Sequence, residues 1–177
     1  MYQTVWGLEL VCVGAVPPAL MREVAKRLGE LLSRPVDLLP MEIDGRPAMD
    51  LLRRQYSATG MLDLLKHPTP RPHVKRVGIT SLDLFLPVFT HLFGYAQMGG
   101  SVAVVSTFRI TPENSAEPEL LLDRIVKEVL HEIGHTVGLV HCRAPWCVMH
   151  PSRWPEEIDL KDAAFCPPCA SVINKTS

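Results

Sequence analysis

The chain has almost no net charge. Its 177 residues include 18 Lys and Arg and 19 Asp and Glu, which gives a net charge of −1. No basic tract runs along the sequence, so we expect no nucleic-acid partner. The composition, with 47% hydrophobic and 21% charged residues, excludes a disordered chain and predicts a single folded domain over residues 1–177.

We also expect neither a membrane span nor a secretory signal. No apolar run approaches the roughly 20 residues that a transmembrane helix needs. The stretch from Leu8 to Leu20 is apolar apart from Glu9, but no Lys or Arg precedes it, and Pro17 and Pro18 interrupt it. A signal peptide requires a basic region before its apolar core. We therefore expect a cytoplasmic protein without a membrane partner.

The spacing of apolar residues predicts alternating strands and helices. Predicted strands cover residues 5–16, 36–39, 74–80, 92–97 and 101–110, and predicted helices cover 17–32, 48–66 and 119–138. Such alternation is typical of an α/β fold with a largely parallel sheet. Residues 1–138 form this sheet-and-helix part. Residues 139–177 form a part rich in Pro and Cys, with one short helix predicted at 158–165.

The motif His-Glu-Ile-Gly-His-Thr-Val-Gly-Leu-Val-His at residues 131–141 carries the main chemical signal. His131 and His135 are four residues apart, so a helix presents both imidazoles on one face. Gly138 allows a sharp turn at the helix end, which can bring His141 back towards the other two. Two or three neutral imidazoles are good ligands for zinc. Three protein ligands leave the fourth position of the ion open to water, which is typical of a catalytic site.

Glu132 is the predicted catalytic residue. It follows His131 in the sequence but lies about 100° further around the helix, so we expect that it does not bind the metal. It is placed to act as general base on a water molecule at the open position, whose pKa zinc lowers to about 7. The expected reaction is the hydrolysis of peptide bonds in a peptide or protein substrate.

Four of the five cysteines form a second candidate metal site. They follow the pattern Cys142-x4-Cys147-x18-Cys166-x2-Cys169, which fits a closed, structural zinc site with four thiolates. Two disulfides, a redox-active Cys-Pro-Pro-Cys pair and an iron–sulfur cluster remain alternatives. Cys12 lies alone in an apolar strand and is expected to be an inert buried thiol. The cofactor prediction is therefore two zinc ions per chain, one catalytic and one structural.

Residues 131–141, followed by Met149, resemble the metzincin pattern HExxHxxGxxH with its Met-turn. The immediate Cys142, the Cys147-Val148-Met149 segment and the final Cys pair resemble the archaemetzincins in particular. The resemblance implies that Met149 forms an apolar base beneath the three imidazoles and that the four cysteines bind a structural zinc. It also implies a metzincin-like fold with one antiparallel edge strand that binds an extended substrate. The candidates for that strand are Leu92, Phe93, Gly94, Tyr95, Ala96 and Gln97.

One alternative function remains open at this point, a non-catalytic zinc protein that keeps the peptidase scaffold. Its motivation is the small size of the chain, which leaves little room for substrate subsites. A nucleic-acid-binding zinc module rests on the cysteines alone, and the near-zero net charge argues against it. We expect a monomer. Trp146 and Trp154 flank the cysteines and are expected to cover the structural metal, whereas His91 receives no functional role.

Overall fold

The computed structural model describes residues 6–33, 35–113 and 117–175. Val5, where the first strand was expected to begin, lies outside these ranges. The strands are β1 (Gly7–Val13), β2 (Val36–Ile43), β3 (Met49–Asp50), β4 (Gln55–Ser57), β5 (Val74–Thr80), β6 (Leu84–Leu86), β7 (Phe89–Leu92), β8 (Gly94–Ala96) and β9 (Val102–Ser106). The helices are α1 (Pro18–Leu32), α2 (Ala58–Leu65), α3 (Pro118–Thr136), α4 (Pro155–Asp159) and α5 (Pro167–Lys175).

The main sheet of the described chain has the strand order β2-β1-β5-β9-β8. The first four of these strands are parallel to one another, and β8 is antiparallel to β9 at the edge. Every residue of β9 is buried, as expected for a strand that is covered on both faces. The predicted α/β class, with a mostly parallel sheet and an antiparallel edge strand, is confirmed.

Helices cover both faces of this sheet. Leu10 and Val105 point to the face where α1 and α3 pack, whereas Val11 and Val104 point to the face where α2 packs. Alternate residues of a strand point to opposite faces, so each buried strand contributes to two hydrophobic clusters. The continuous apolar runs of the sequence arise from this arrangement.

A second, small sheet was not predicted, and the expected helix over residues 48–66 is wrong in its first half. The small sheet has the order β3-β4-β6-β7, and its strands are only two to four residues long. Tyr56 and Ser57 pair with Leu84 and Phe85, which are far away in the sequence. Helix α2 begins only at Ala58. Ser57 caps its N-terminus, because the Ser57 hydroxyl accepts a hydrogen bond from the amide of Gly60 at 3.2 Å.

The C-terminal part packs against the active-site helix α3. Val148, Ile158, Phe165 and Ile173 are buried in the same cluster as the apolar side of α3. The short helix expected at 158–165 lies earlier, as α4, and the helix α5 was not expected. Among the helices of the described residues, none combines the length and the apolar character that crossing a bilayer requires.

Candidate active site

The three predicted histidines converge at the end of α3. Their ring nitrogens lie within 4.8 Å of one another. The ring centroids of His131 and His135 are 4.7 Å apart, and that of His141 lies 5.3 Å and 5.0 Å from theirs. The Nε2 atoms of His131 and His135 are 3.1 Å apart. The structure thus brings together all three predicted ligands around one point.

The turn after α3 explains how His141 reaches this point. Gly138 has a φ of +94°, which a residue with a side chain rarely adopts. The amide of Leu139 donates to the carbonyl of Gly134 at 2.9 Å, and the amide of Gly138 donates to His135 at 3.0 Å. These two bonds are the pattern of a Schellman motif, which ends a helix and reverses the chain.

Lys75 fixes the end of α3 from outside. Its ammonium group donates to the carbonyl of Thr136 at 2.9 Å and to that of Gly100 at 2.6 Å. The amide of Gly99 donates to the carbonyl of His135 at 2.9 Å. The turn that follows β8 is therefore bonded to the last turn of the helix that carries two of the imidazoles.

Hydrogen bonds set the orientation of two imidazoles. Nδ1 of His131 donates to the carbonyl of Val148 at 2.8 Å, and Nδ1 of His135 donates to the carbonyl of Leu139 at 2.7 Å. A ring that donates through Nδ1 keeps the lone pair of Nε2 for a metal. Burial is the main cause that lowers the pKa of all three imidazoles, to the largest extent for His131. Neutral rings in this geometry fit a zinc ion.

Glu132 lies beside the imidazoles but outside their cluster of ligand atoms. It is buried, and burial followed by the charge of Glu128 raises its pKa well above the ordinary value. Its carboxylate packs against the backbone of Gly94, where a Cβ atom would lie 2.5 Å from Oε1. The general-base candidate is thereby held between the helix and the edge strand.

The edge strand is β8, which is shorter than the predicted range. The amide of Ser106 donates to Phe93 at 2.7 Å, and Gln97 donates to Val102 at 3.0 Å. In an antiparallel pair such bonds alternate, so the N–H and C=O groups of Gly94 and Ala96 point away from β9. Tyr95, between them, pairs with Val104. Leu92 is the last residue of β7, because the chain leaves the small sheet at that point. Phe93 and Gln97 flank β8 and still bond to Ser106 and Val102.

Met149 lies directly beneath the imidazole-bearing helix. Its side chain is fully buried. The amide of Cys142 donates to the Met149 carbonyl at 2.9 Å, which fixes the backbone at this residue. A Cβ atom on Gly134 would clash with Sδ of Met149 and would lie 3.3 Å from the ring of Phe165. The absence of a side chain at Gly134 allows the close packing of this methionine.

A cleft of about 710 Å³ opens beside the imidazoles. Its walls are α3, the strands β7 and β8, and the segment Pro151–Trp154. This volume lies within the roughly 300–1,000 Å³ that is typical of ligand sites. Trp154 lines the cleft, and its expected role as a cover of the structural metal stays a prediction. His91, to which the sequence assigned no role, also lines it.

Glu128, which lines the cleft, forms a buried ion pair with Lys161 that the sequence did not predict. Nζ of Lys161 lies 3.1 Å from Oε1 of Glu128 and donates to the carbonyl of His150 at 3.2 Å. The pair therefore joins α3 to the residue that follows Met149. Glu128 lies three residues before His131, so the helical period could have indicated it, whereas no sequence signal points to Lys161.

The four predicted cysteines form a second cluster. Their sulfur atoms lie within 4.8 Å of one another. Cys142 Sγ and Cys166 Sγ are 3.7 Å apart, well beyond the ~2.05 Å of a disulfide, and all five cysteines of the chain, each in the described part, are free. Burial raises the pKa of the Cys147 and Cys169 thiols. Four thiols at one point fit a tetrahedral metal site, where the cation ionises the thiols.

Residues 40–175 match the sequence profile of peptidase family M54. A curated archaemetzincin from Archaeoglobus fulgidus is 37% identical over 152 residues, which cover 85% of this chain and 89% of that protein. One from Haloarcula marismortui is 33% identical and covers 92% and 96% of the two chains.

Solved structures give the same result. A zinc-dependent peptidase from Methanocorpusculum labreanum superposes with a TM-score of 0.87 at 33% identity, over 95% of this chain and 100% of that one. The archaemetzincin of Methanopyrus kandleri superposes with a TM-score of 0.81 at 31% identity, over 97% and 95%. With its three converging imidazoles and this likeness along most of its length, the chain belongs to peptidase family M54 and is a zinc metallopeptidase.

Proposed function

We propose that this metallopeptidase cleaves peptide bonds with a zinc ion held by His131, His135 and His141 and with Glu132 as the general base. The observation that carries the proposal is the convergence of three imidazoles beside a buried carboxylate at one wall of a cleft. Three protein ligands, rather than four, leave room for water and substrate.

A zinc ion in this site supplies a Lewis acid that lowers the pKa of water and polarises a carbonyl group. Glu132 takes a proton from the attacking water and transfers it to the leaving amine. Burial raises the pKa of Glu132 in the metal-free protein, and the charge of a bound zinc ion would favour the ionised form that accepts the proton. Gly94 holds the carboxylate in position by allowing the edge strand to approach it.

The substrate is a peptide in extended conformation. Gly94 and Ala96 direct N–H and C=O groups away from β9, on the side of the cleft. A peptide that pairs with these groups is added to the sheet as a further strand. Such main-chain bonds hold the scissile bond in place and leave specificity to the cavities beside the strand.

Replacement of Glu132 tests this function. We expect Glu132→Gln to lower kcat by about 10²–10⁴-fold and to leave zinc bound, because the residue is not a ligand. The measurement is hydrolysis of a peptide library by zinc-loaded protein, with zinc content determined in the same samples. If the loaded wild-type protein cleaves no peptide, the non-catalytic alternative is correct. If the variant cleaves as fast as the wild type, Glu132 is not the base.

We also propose that Cys142, Cys147, Cys166 and Cys169 hold a second, structural zinc ion. Four thiolates would fill all four positions of a zinc ion, so no position would remain for a substrate. Because Cys142 follows His141 directly, this metal fixes the chain just after the third imidazole. An iron–sulfur cluster at this place would instead give a coloured protein with visible absorption.

We further propose that the protein is a cytoplasmic monomer that binds neither nucleic acid nor membranes. The net charge of −1 and the free cysteines support this view, since thiols persist in reducing compartments. Cell fractionation and sedimentation analysis of the purified chain test it. A membrane-bound fraction or a dimer at micromolar concentration would refute the respective part.

A further inference from the structure

A second, smaller cavity adjoins the catalytic cleft. Its volume is about 260 Å³, and its lining residues are His91, Phe93, Phe108, Arg109, Trp154 and Pro155. Three of these, His91, Phe93 and Trp154, also line the catalytic cleft. The ring centroid of His91 lies 6.1 Å from that of Phe93 and 6.4 Å from that of Trp154. The two cavities therefore share a wall of aromatic rings.

The walls of the small cavity expose large aromatic surfaces. Phe108 and Trp154 expose 55% and 60% of their surface. Adjacent exposed aromatic side chains in a concave surface are typical of binding sites, because covering them removes apolar area from water. The volume lies below the roughly 300–1,000 Å³ of sites that enclose a whole small molecule. It suits one side chain of a larger ligand.

Arg109 determines which kind of side chain fits. Its guanidinium group donates to both carboxylate oxygens of Asp83, from Nε at 2.8 Å and from Nη2 at 2.7 Å. Asp83 also accepts a hydrogen bond from Gln55 at 2.9 Å. The positive charge of Arg109 is thus compensated, which disfavours an anionic ligand. The planar group is held rigidly, and Arg109 Cζ lies 5.8 Å from the ring centroid of Phe108. A guanidinium face of this kind stacks on aromatic rings.

We propose that this cavity is a substrate subsite for an aromatic side chain of the peptide held in the catalytic cleft. Antiparallel pairing, the more stable arrangement, makes the substrate run from Ala96 towards Gly94 and onwards to Phe93. The aromatic residue then lies on the carboxyl side of the scissile bond. The inference rests on the proposed function in that it needs an extended peptide along β8 and a zinc ion at the three imidazoles that anchors the probe.

Binding of hydroxamate peptides tests the subsite without turnover. The probes are short peptides joined at their amino end to a succinyl hydroxamate, which binds the zinc of the loaded protein. Tryptophan or phenylalanine replaces alanine at each successive position. We expect one position at which the aromatic peptide binds about tenfold more tightly than its alanine counterpart. Isothermal titration calorimetry measures the dissociation constants.

The variant Phe108→Ala shows whether the small cavity causes the aromatic preference, because Phe108 lines the small cavity and not the cleft. It should remove most of the aromatic preference and leave the affinity for the alanine peptides unchanged. Trp146→Ala is the matched control, since Trp146 is exposed and lines neither cavity. It should keep the preference.

Equal affinity of aromatic and alanine peptides at every position overturns the subsite. So does a preference that survives Phe108→Ala. The proposed function fails in a different way, when no peptide is cleaved. A clear aromatic preference lost in Phe108→Ala would then still support the subsite, whereas cleavage without any preference would refute the subsite alone.

Discussion

The carboxylate of Glu132 packs so closely against Gly94 that a Cβ atom on this glycine would lie 2.5 Å from Oε1 and 2.8 Å from Cγ of Glu132. The proposed general base and the proposed substrate-binding strand are therefore in direct contact. A peptide paired with Gly94 lies next to the carboxylate that acts on its scissile bond. This contact couples substrate position to the chemical step.

Gly94→Ala should impair catalysis while zinc stays bound. The added methyl group displaces the Glu132 carboxylate, and a shift of about 1 Å in a reacting group can cost about 100-fold in rate. Steady-state hydrolysis of a peptide, with zinc content measured alongside, checks the expectation. Gly7→Ala is the control, because its Cβ meets only Val74 Cγ2 at an ordinary 3.5 Å. An unchanged kcat in Gly94→Ala would show that the contact has no role.

Lys161→Met should destabilise the fold strongly. The substitution leaves the buried carboxylate of Glu128 without its partner, which costs about 3–5 kcal/mol. The double variant Lys161→Met with Glu128→Leu removes both charges and should recover much of the loss. Denaturant unfolding of the three proteins measures the free energies. Lys66→Met, which breaks the exposed pair with Asp63, should cost less than about 1 kcal/mol. Similar values for Lys161→Met and Lys66→Met would contradict this account.

Cys166→Ser should lower the unfolding temperature by roughly 10 °C or more. Loss of a structural metal belongs to the changes that exceed about 4 kcal/mol, and each kcal/mol shifts Tm by about 2–4 °C in a domain of this size. Cys12→Ser is the control, since Cys12 lies outside the cluster and donates to the carbonyl of Gly14. Equal unfolding temperatures for the two variants in calorimetry would argue against a structural metal.

Zinc binding at the imidazoles should release a proton from Glu132. Burial and the charge of Glu128 raise the pKa of Glu132 well above its ordinary value of 4.5. The folded, metal-free protein therefore keeps this proton at pH values where an unfolded chain has lost it. Its folded-state stability declines as pH rises through the raised pKa. The charge of an incoming zinc ion reverses the preference and expels the proton.

Calorimetry in buffers of different ionisation enthalpy counts these protons. Between pH 4.5 and the raised pKa, the wild type should release up to about one proton more than Glu132→Gln. Protons from the cysteine cluster are common to both proteins and cancel. The imidazoles contribute few, because burial already keeps them neutral. If the two proteins release the same number of protons on binding zinc, the pKa of Glu132 is not raised.

The metal-binding residues could be predicted from the sequence because their geometry is local. The helical period places His131 and His135 on one face, and Gly138 reverses the chain, as its φ of +94° now documents. The main sheet was predictable for a similar reason, since β1 and β9 consist mostly of apolar residues. In each case, residues close in sequence determine the arrangement.

The small sheet and the subsite could not be predicted, because they depend on contacts between distant segments. The pairing of Tyr56 with Leu84 converts part of an apparently helical segment into short strands. Trp154 lines the cleft beside His91, with the two ring centroids 6.4 Å apart, although 63 residues separate them in the sequence. Lys161 meets Glu128 across 33 residues. Periodicity within one segment carries no information about such contacts.

The zinc content of the purified chain and of two double variants tests the central claim most directly. Elemental analysis of the wild type should give about two zinc ions per chain. His131→Ala with His135→Ala should give about one, and so should Cys166→Ser with Cys169→Ser, each variant having lost a different ion. A histidine variant that keeps the full zinc content of the wild type would contradict the claim that three imidazoles hold the catalytic metal.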